Sequence, residues 1–114
     1  MDPDQVIVVT VTTPPDLARD LAHRLVSAEL AACVNVIPDV TSVYRWEGKI
    51  QEDQECMLQI KTTSLLFERV KESVREVHPY AVPEIIAVPV DRVFETYARW
   101  VRESVSGATT PSEP

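Results

Sequence analysis

The sequence predicts an α+β fold, in which an antiparallel sheet is covered on one face by two helices and a third helix ends the domain. Three observations predict it. Extended β-branched segments alternate with amphipathic segments in the order β-α-β-β-α-β. The turn Glu47-Gly48-Lys49 joins two of the extended segments into a long hairpin arm. The 114 residues suffice for one hydrophobic core without metal or disulfide staples, so we expect a single domain.

The first strand and helix follow from the N-terminal pattern. Residues Gln5 to Thr12 are apolar or β-branched at nearly every position, as in a strand buried on both faces. Thr13-Pro14-Pro15-Asp16 then offers a capping hydroxyl, prolines suited to a first helical turn, and an acid at the positive end of the helix dipole. We expect this helix to end near Ala31 or Ala32 and to bury one stripe of residues: Leu17, Leu21, Leu25 and Ala28.

The hairpin arm is predicted from two extended segments, Cys33 to Trp46 and Ile50 to Thr62. Pro38-Asp39 interrupts the first segment and predicts a bulge or a bend, because proline cannot donate a hydrogen bond to a central ladder. Tyr44 and Trp46 alternate near the tip and therefore share one face of the strand. We expect these two aromatic side chains to contact a neighbouring subunit.

The second half of the domain repeats the alternation. A helix is expected from about Ser64 to Val77, with Thr63 or Ser64 as its cap and a buried stripe of Leu66, Val70, Val74 and Val77. A short strand is expected at Glu84 to Val90, before a last helix with one apolar side: Phe94, Tyr97, Ala98, Val101 and Val105. The domain is predicted to span residues 1–105, and the apolar-poor tail 106–114 is predicted to be disordered.

This order of elements is the split βαβ, or ferredoxin-like, plan. Two helices can shield only one face of the sheet, and the hairpin arm leaves strand edges open. Burial of the second face and pairing of those edges would both follow from oligomerisation. The pattern therefore predicts a cyclic homo-oligomer, whose number of subunits it does not set.

Composition argues against several functional classes. With 18 acidic and 11 basic residues the net charge is −7, whereas a nucleic-acid partner requires clustered cations. Gly48 and Gly107 are the only glycines, which excludes glycine-rich phosphate-binding loops. The absence of a long apolar run and of a signal-like N-terminus predicts a soluble, cytoplasmic protein without a membrane partner. No catalytic arrangement of nucleophile and base is recognisable, so we expect no enzyme activity.

The segment His78-Pro79-Tyr80-Ala81-Val82-Pro83-Glu84 is the most informative part of the chain. Its two prolines favour extended geometry at the residues before them, which predicts a rigid elbow between a helix and a strand. Such an elbow either only connects the helix to the strand or also forms a binding site. For copper or zinc the candidate ligands are His78, Cys33, Cys56 and Glu84. None are paired at ligand spacing on one element, so a site would have to form across strands or between subunits.

Several motifs together resemble one family. The chain resembles the CutA divalent-cation tolerance proteins in the order and spacing of these segments: Ala31-Ala32-Cys33-Val34-Asn35, Ser42-Val43-Tyr44-Arg45-Trp46-Glu47-Gly48, Ile60-Lys61-Thr62, His78-Pro79-Tyr80 and Val82-Pro83-Glu84-Ile85-Ile86. The resemblance covers about residues 6 to 105. It implies a ferredoxin-like protomer, a homotrimer similar to the PII signalling proteins, and a link to tolerance of copper and other divalent ions. Ala81 departs from the family, which often carries an acidic or polar residue there.

The resulting prediction is a trimeric protein of divalent-cation tolerance, linked to copper. Direct binding of copper or another divalent cation is expected to be weak and to involve His78, Cys33 and Glu84. The alternative is a PII-like regulatory trimer that binds a small ligand in clefts between subunits. Those clefts would collect Arg45, Lys61, Tyr80 and Glu84.

Overall fold

A four-stranded antiparallel sheet organises the chain in the computed structural model, which describes residues 2–106. The strand order is β2-β3-β1-β4, and every neighbouring pair is antiparallel. This architecture confirms the predicted α+β, ferredoxin-like plan. In chain order the elements are β1 (Val6–Thr13), α1 (Ala18–Ser27), β2 (Cys33–Trp46), β3 (Lys49–Thr63), α2 (Phe67–Val77), β4 (Ile85–Pro89) and α3 (Glu95–Ser104).

The main core lies between the sheet and helices α1 and α2. Alternate residues of β3 enter this core, and Leu58 and Ile60 are fully buried there. The helices contribute stripes with helical spacing, which the sequence pattern predicted for most members. The buried helical residues in this core are Ala18, Leu21 and Leu25 of α1 and Val70 and Val74 of α2.

Helix α1 ends at Ser27, earlier than the predicted end near Ala31 or Ala32. Glu29 adopts a left-handed backbone conformation with φ of 60°, and the N–H of Leu30 donates to the carbonyl of Leu25 at 3.0 Å. This six-to-one bond is a Schellman ending, and buried Leu30 supplies the apolar contact that accompanies it. Because the chain turns away there, Ala28 is exposed rather than part of the buried stripe.

The predicted helix caps are wrong. The Thr13 hydroxyl donates to the adjacent carbonyl of Pro14 at 3.0 Å, and a turn separates it from α1. No side chain caps α2 either, because the chain enters that helix through a 3-10 turn at Ser64–Leu66. Short-range capping patterns were overridden by the path that the chain takes between strand and helix.

Two further residues of the predicted apolar stripes, besides Ala28, are exposed. Val77 is the last residue of α2 and is exposed. Phe94 precedes the first turn of α3, where helical spacing does not yet direct its side chain, and it is 76% exposed.

The hairpin arm has the predicted bulge. The pairing of β2 with β3 shifts register between Ile37 and Val40, and Asp39 has a φ of 61°. At the tip, Glu47 and Gly48 both have positive φ, which suits the right-handed twist of a tight hairpin. Strand β1 pairs with β3 only from Cys56 onward, so the rest of the hairpin extends beyond β1 as a two-stranded ribbon.

Helix α3 covers one end of the opposite face of the sheet. Its Ala98 and Val101 pack with Val6 in a second, smaller cluster. The rest of that face is open, and Ile86 and Val88 of β4 are 53% and 57% exposed. None of the helices in the described part of the chain is long and apolar enough to cross a membrane.

The predicted disordered tail falls mainly outside the described residues. Only Ser106 of the segment 106–114 is described, and its N–H donates to the carbonyl of Glu29 at 3.0 Å. The last helix is therefore tied at its C-terminal side to the turn that follows α1.

Leu58→Ala should lower the free energy of unfolding by about 2–5 kcal/mol, because it removes a fully buried side chain from the main core. Denaturant unfolding at fixed protein concentration measures the change. Leu65→Ala is the matched control: Leu65 is 60% exposed, and its truncation should change stability by less than about 0.5 kcal/mol. Similar losses for the two variants would contradict the assignment of the core.

Candidate functional site

The elbow begins where α2 ends. His78 is the residue after the helix, with an extended ψ of 130° that suits the following Pro79. Its N–H still donates to the carbonyl of Val74 at 2.9 Å, which satisfies the last turn of the helix. The chain then crosses the end of the sheet and enters β4 at Ile85.

The imidazole of His78 is held at both ring nitrogens. His78 is only 8% exposed, and Nε2 of its ring is 2.8 Å from the carbonyl oxygen of Thr12. The backbone N–H of Tyr80 donates to Nδ1, with the two nitrogens 3.3 Å apart. Since Nδ1 accepts, the proton of the neutral ring belongs on Nε2, which donates to the Thr12 carbonyl. A metal ion could reach this imidazole only after one of the two bonds breaks.

Tyr80 connects the elbow to β3. Its ring packs edge-on against His78 with centroids 4.7 Å apart, and its hydroxyl donates to Oε2 of Glu55 at 2.8 Å. Glu55 is 5% exposed. Burial raises the pKa of Tyr80, and the hydrogen bond to Glu55 and the carboxylate charge raise it further. Tyr80 therefore remains a protonated donor at neutral pH.

A second tyrosine–carboxylate pair adjoins the first. The Tyr44 hydroxyl donates to Oδ2 of Asp53 on the neighbouring strand. This hydrogen bond is the main reason that the pKa of Tyr44 is raised, and the charge of Glu55 adds to it. The charge of Asp53 likewise contributes to the raised pKa of Tyr80. We call Tyr44, Asp53, Glu55 and Tyr80 the tyrosine–carboxylate cluster.

The predicted metal ligands do not converge within one chain. Cys33 of β2 pairs with Lys61 of β3, and Lys61 pairs in turn with Val8 of β1. His78 instead contacts Thr12, which lies about 13 Å from Val8 along β1. Cys56 is buried in the main core and Glu84 is exposed. Among the described residues, no group of three or more His, Cys, Asp or Glu side chains is placed to hold a metal ion. A site between subunits, the other arrangement that the sequence allowed, stays a prediction.

The residues predicted for a ligand cleft are also dispersed in a single chain. The Lys61 amino group donates to the Asn35 side chain, at the end of the sheet away from the elbow. Arg45 is exposed near the hairpin tip, and Tyr80 is engaged by Glu55. Burial raises the pKa of Tyr97 in α3, and the charge of Cys33 contributes to the shift.

Glu55 is the site residue that the sequence analysis missed. It lies one residue before Cys56, where β3 begins to pair with β1, and it is only 5% exposed. One signal was present in the sequence: Glu55 directly precedes the alternating apolar segment Cys56 to Ile60.

Comparison with known proteins identifies the family. Residues 6–104 match the model of the family described as CutA1 divalent ion tolerance protein. This match spans all seven helices and strands of the described fold. The chain belongs to the CutA1 family. The family description names tolerance to divalent ions and no catalysed reaction.

Individual CutA proteins are similar over most of this chain. The divalent-cation tolerance protein CutA of Thermus thermophilus is 46% identical over 101 residues, which are 89% of this chain and 97% of that protein. Human protein CutA is also 46% identical, and the match covers 95% of this chain but 63% of the human protein. This chain therefore spans less than two thirds of the human relative.

Solved CutA structures share the fold. The Thermus thermophilus structure superposes with a TM-score of 0.86, covering 89% of this chain and 99% of that one at 46% identity. A structure described as the PII-like protein CutA from Nostoc, in apo form, has a TM-score of 0.83 at 30% identity. That match covers 88% of this chain and 97% of the Nostoc chain.

Tyr80→Phe should lower the free energy of unfolding by about 1–3 kcal/mol, because it leaves the buried Glu55 carboxylate without the hydroxyl that it accepts from. Tyr44→Phe is the matched control. Its carboxylate partner, Asp53, is exposed, so water can replace the lost hydroxyl and the effect should be smaller. Denaturant unfolding at one protein concentration compares them, and an equal loss for both variants would argue against a special role for Glu55.

Proposed function

We propose that this chain acts as a cytoplasmic homotrimer in divalent-cation tolerance, with a weak, direct contact to copper at the elbow. The observation that supports the cellular role is the family match, which extends over residues 6–104. The proposal includes no catalytic step and no nucleic-acid or membrane partner. Copper would be bound as an ion to be tolerated, not as a resident cofactor.

Assembly is supported by the strand edges and apolar side chains that are exposed in a single chain. Strands β2 and β4 are the two outer strands of the sheet, so each offers one backbone edge to another chain. Exposed apolar side chains occur on the arm and on the open face: Ile37, Val43, Tyr44, Trp46, Ile50, Ile86 and Val88. Large apolar and aromatic side chains are enriched where subunits meet, so their exposure in a single chain favours assembly.

Weak copper binding follows from how the elbow is held. Imidazole is a good copper ligand, but both nitrogens of His78 already have partners in the chain. Binding through Nδ1 would cost the bond to the Tyr80 N–H, and binding through Nε2 would cost the bond to Thr12. In both cases the metal must offset a lost hydrogen bond of a buried group, which reduces affinity. Cys33 and Glu84 would join His78 only if another subunit supplied them.

Calorimetric titration of Cu(II), Cu(I) and Zn(II) tests the metal contact. The wild type should release a small heat with copper that His78→Ala loses. His23→Ala is the matched control, because it removes the only other histidine, an exposed residue of α1, and should leave the heat unchanged. Equal, negligible heats for the wild type and His78→Ala would contradict the proposed contact between copper and His78. Loss of heat only in His23→Ala would assign copper binding to the exposed His23.

Sedimentation measures the proposed trimer. At micromolar concentration the wild type should sediment with three times the 12.8 kDa mass of one chain. Trp46→Asp should weaken assembly by about 2 kcal/mol or more per interface, since an aromatic anchor becomes a charge. Arg45→Asp, on the opposite face of the same strand, is the control and should assemble. A wild type that stays monomeric would refute the trimer.

A PII-like regulatory trimer that binds a small ligand remains the alternative. It is favoured by the likeness to the Nostoc protein, whose description calls it PII-like. Lys61 and Arg45 are the cations that would meet an anionic ligand in a cleft between subunits. Heat from phosphate or a nucleotide in the calorimetric titration, without heat from copper, would favour this alternative.

A further inference from the structure

Glu55 is the only carboxylate residue that is buried in the described part of the chain. Its Oε2 accepts from the Tyr80 hydroxyl, whereas its Oε1 accepts no hydrogen bond from any described residue. None of the ion pairs among the described residues includes Glu55 or Asp53. Buried charges are ordinarily paired with an opposite charge, because removing a charge from water is unfavourable. The single chain itself supplies no cation to Glu55.

The other side chains of the tyrosine–carboxylate cluster add only acceptors around Glu55. Asp53 lies two residues earlier on the same face of β3, so the Cα atoms of the two acidic residues are about 7 Å apart. The hydroxyl of Tyr44 donates its proton to Asp53, and that of Tyr80 donates its proton to Glu55. Since each phenol has a single proton to donate, the remaining hydrogen-bonding capacity of these side chains consists of oxygen lone pairs. The cluster therefore favours a cation that carries hydrogen-bond donors.

The cluster extends from the interior to the surface of the chain. Glu55 is its buried member, whereas Asp53 is exposed and both tyrosines are partly exposed. A ligand that arrives from solvent would meet Asp53 and the tyrosines first and Glu55 last. The tyrosine rings can also attract a cation directly through their electron-rich faces.

The arrangement suits a guanidinium group better than a metal ion. Among the described residues, no group of three or more His, Cys, Asp or Glu side chains is placed to hold a metal. A guanidinium presents a planar fork of N–H donors that matches a carboxylate, and its flat face stacks on aromatic rings. Because it has donors on more than one edge, a single guanidinium can reach both carboxylates of the cluster.

We propose that the tyrosine–carboxylate cluster binds a guanidinium group. The group donates to Oε1 of Glu55 and to Asp53, and it packs against the rings of Tyr44 and Tyr80. It belongs either to a small alkylguanidinium in solution or to an arginine side chain of a second copy of this chain, since Tyr44 is also expected to contact a neighbouring subunit. The site is separate from the proposed copper contact, because the guanidinium uses no atom of His78.

Calorimetric titration with ethylguanidinium at low salt tests the site. Glu55→Gln removes the charge but keeps an oxygen that accepts from Tyr80, and it should weaken binding at least about tenfold. Asp53→Asn should weaken binding less, because Asp53 is exposed and its charge is screened by solvent. Glu52→Gln is the matched control: Glu52 is an exposed carboxylate on the opposite face of β3, and its loss should leave binding unchanged.

Two related ligands test the chemistry of recognition. Ethylurea has nearly the same shape as ethylguanidinium but no charge, and it should not bind. Ethylammonium has the charge without the planar fork of donors, and it should bind more weakly. The thermal unfolding midpoint of the wild type should rise with ethylguanidinium concentration, and that of Glu55→Gln should not. Circular dichroism checks that each variant folds. Ethylurea or ethylammonium binding as tightly as ethylguanidinium, or Glu55→Gln binding ethylguanidinium like the wild type, would overturn the guanidinium site.

Sedimentation of the wild type and Glu55→Gln separates the two sources of the guanidinium. If the ligand is a free molecule, the wild type binds ethylguanidinium and both proteins assemble alike. If the ligand is an arginine of a second copy, the wild type takes up no ethylguanidinium and Glu55→Gln assembles at least about tenfold more weakly. A wild type that takes up no ethylguanidinium and assembles no better than Glu55→Gln overturns the site. That result leaves the proposed copper contact and trimer standing, because the copper titration and the mass of the wild type test them separately.

Discussion

Successive residues of the central strand β3 point to opposite faces of the sheet, and the rest of the structure depends on this alternation. One set, which includes Leu58 and Ile60, enters the core beneath α1 and α2. The other set, which includes Glu55 and Lys61, lies on the opposite face. A slip of one residue would exchange the two sets, and the pairing of β3 with both β1 and β2 opposes such a slip. The register of β3 therefore determines both the core and the position of the buried carboxylate.

The elbow depends on that register in turn. His78 ties it to β1 through Thr12, and Tyr80 ties it to β3 through Glu55. These contacts use the polar atoms that made the segment a candidate site. In a single chain the elbow is thus a well-anchored joint, and a metal ion would bind His78 only if one of these hydrogen bonds were broken. The elbow leads directly into β4, the outer strand beside β1.

Sequence patterns predicted the fold to different depths in different places. The strands, the hairpin and the bulge at Pro38-Asp39 were predictable because they follow from local alternation and from the missing N–H of proline. The helix caps were not, because Thr13 ends β1 and Ser64 begins a 3-10 turn, and the course of the chain at both places is determined by the packing of the helices on the sheet. Phe94 was assigned to the apolar side of α3 by its spacing, but it precedes the helix and its side chain is exposed.

The sequence by itself determined the order of elements, the rigid elbow and the family. These properties are carried by residues close together in the chain or by several motifs in a consistent order. Tertiary structure alone decided that Nε2 of His78 is engaged by Thr12 and that Glu55 is buried against Tyr80. The partners in those contacts are separated by 66 and 25 residues, and local pattern contains no information about which distant groups the sheet brings together. Whether the elbow has a nitrogen free for a metal ion is consequently a property of the folded chain.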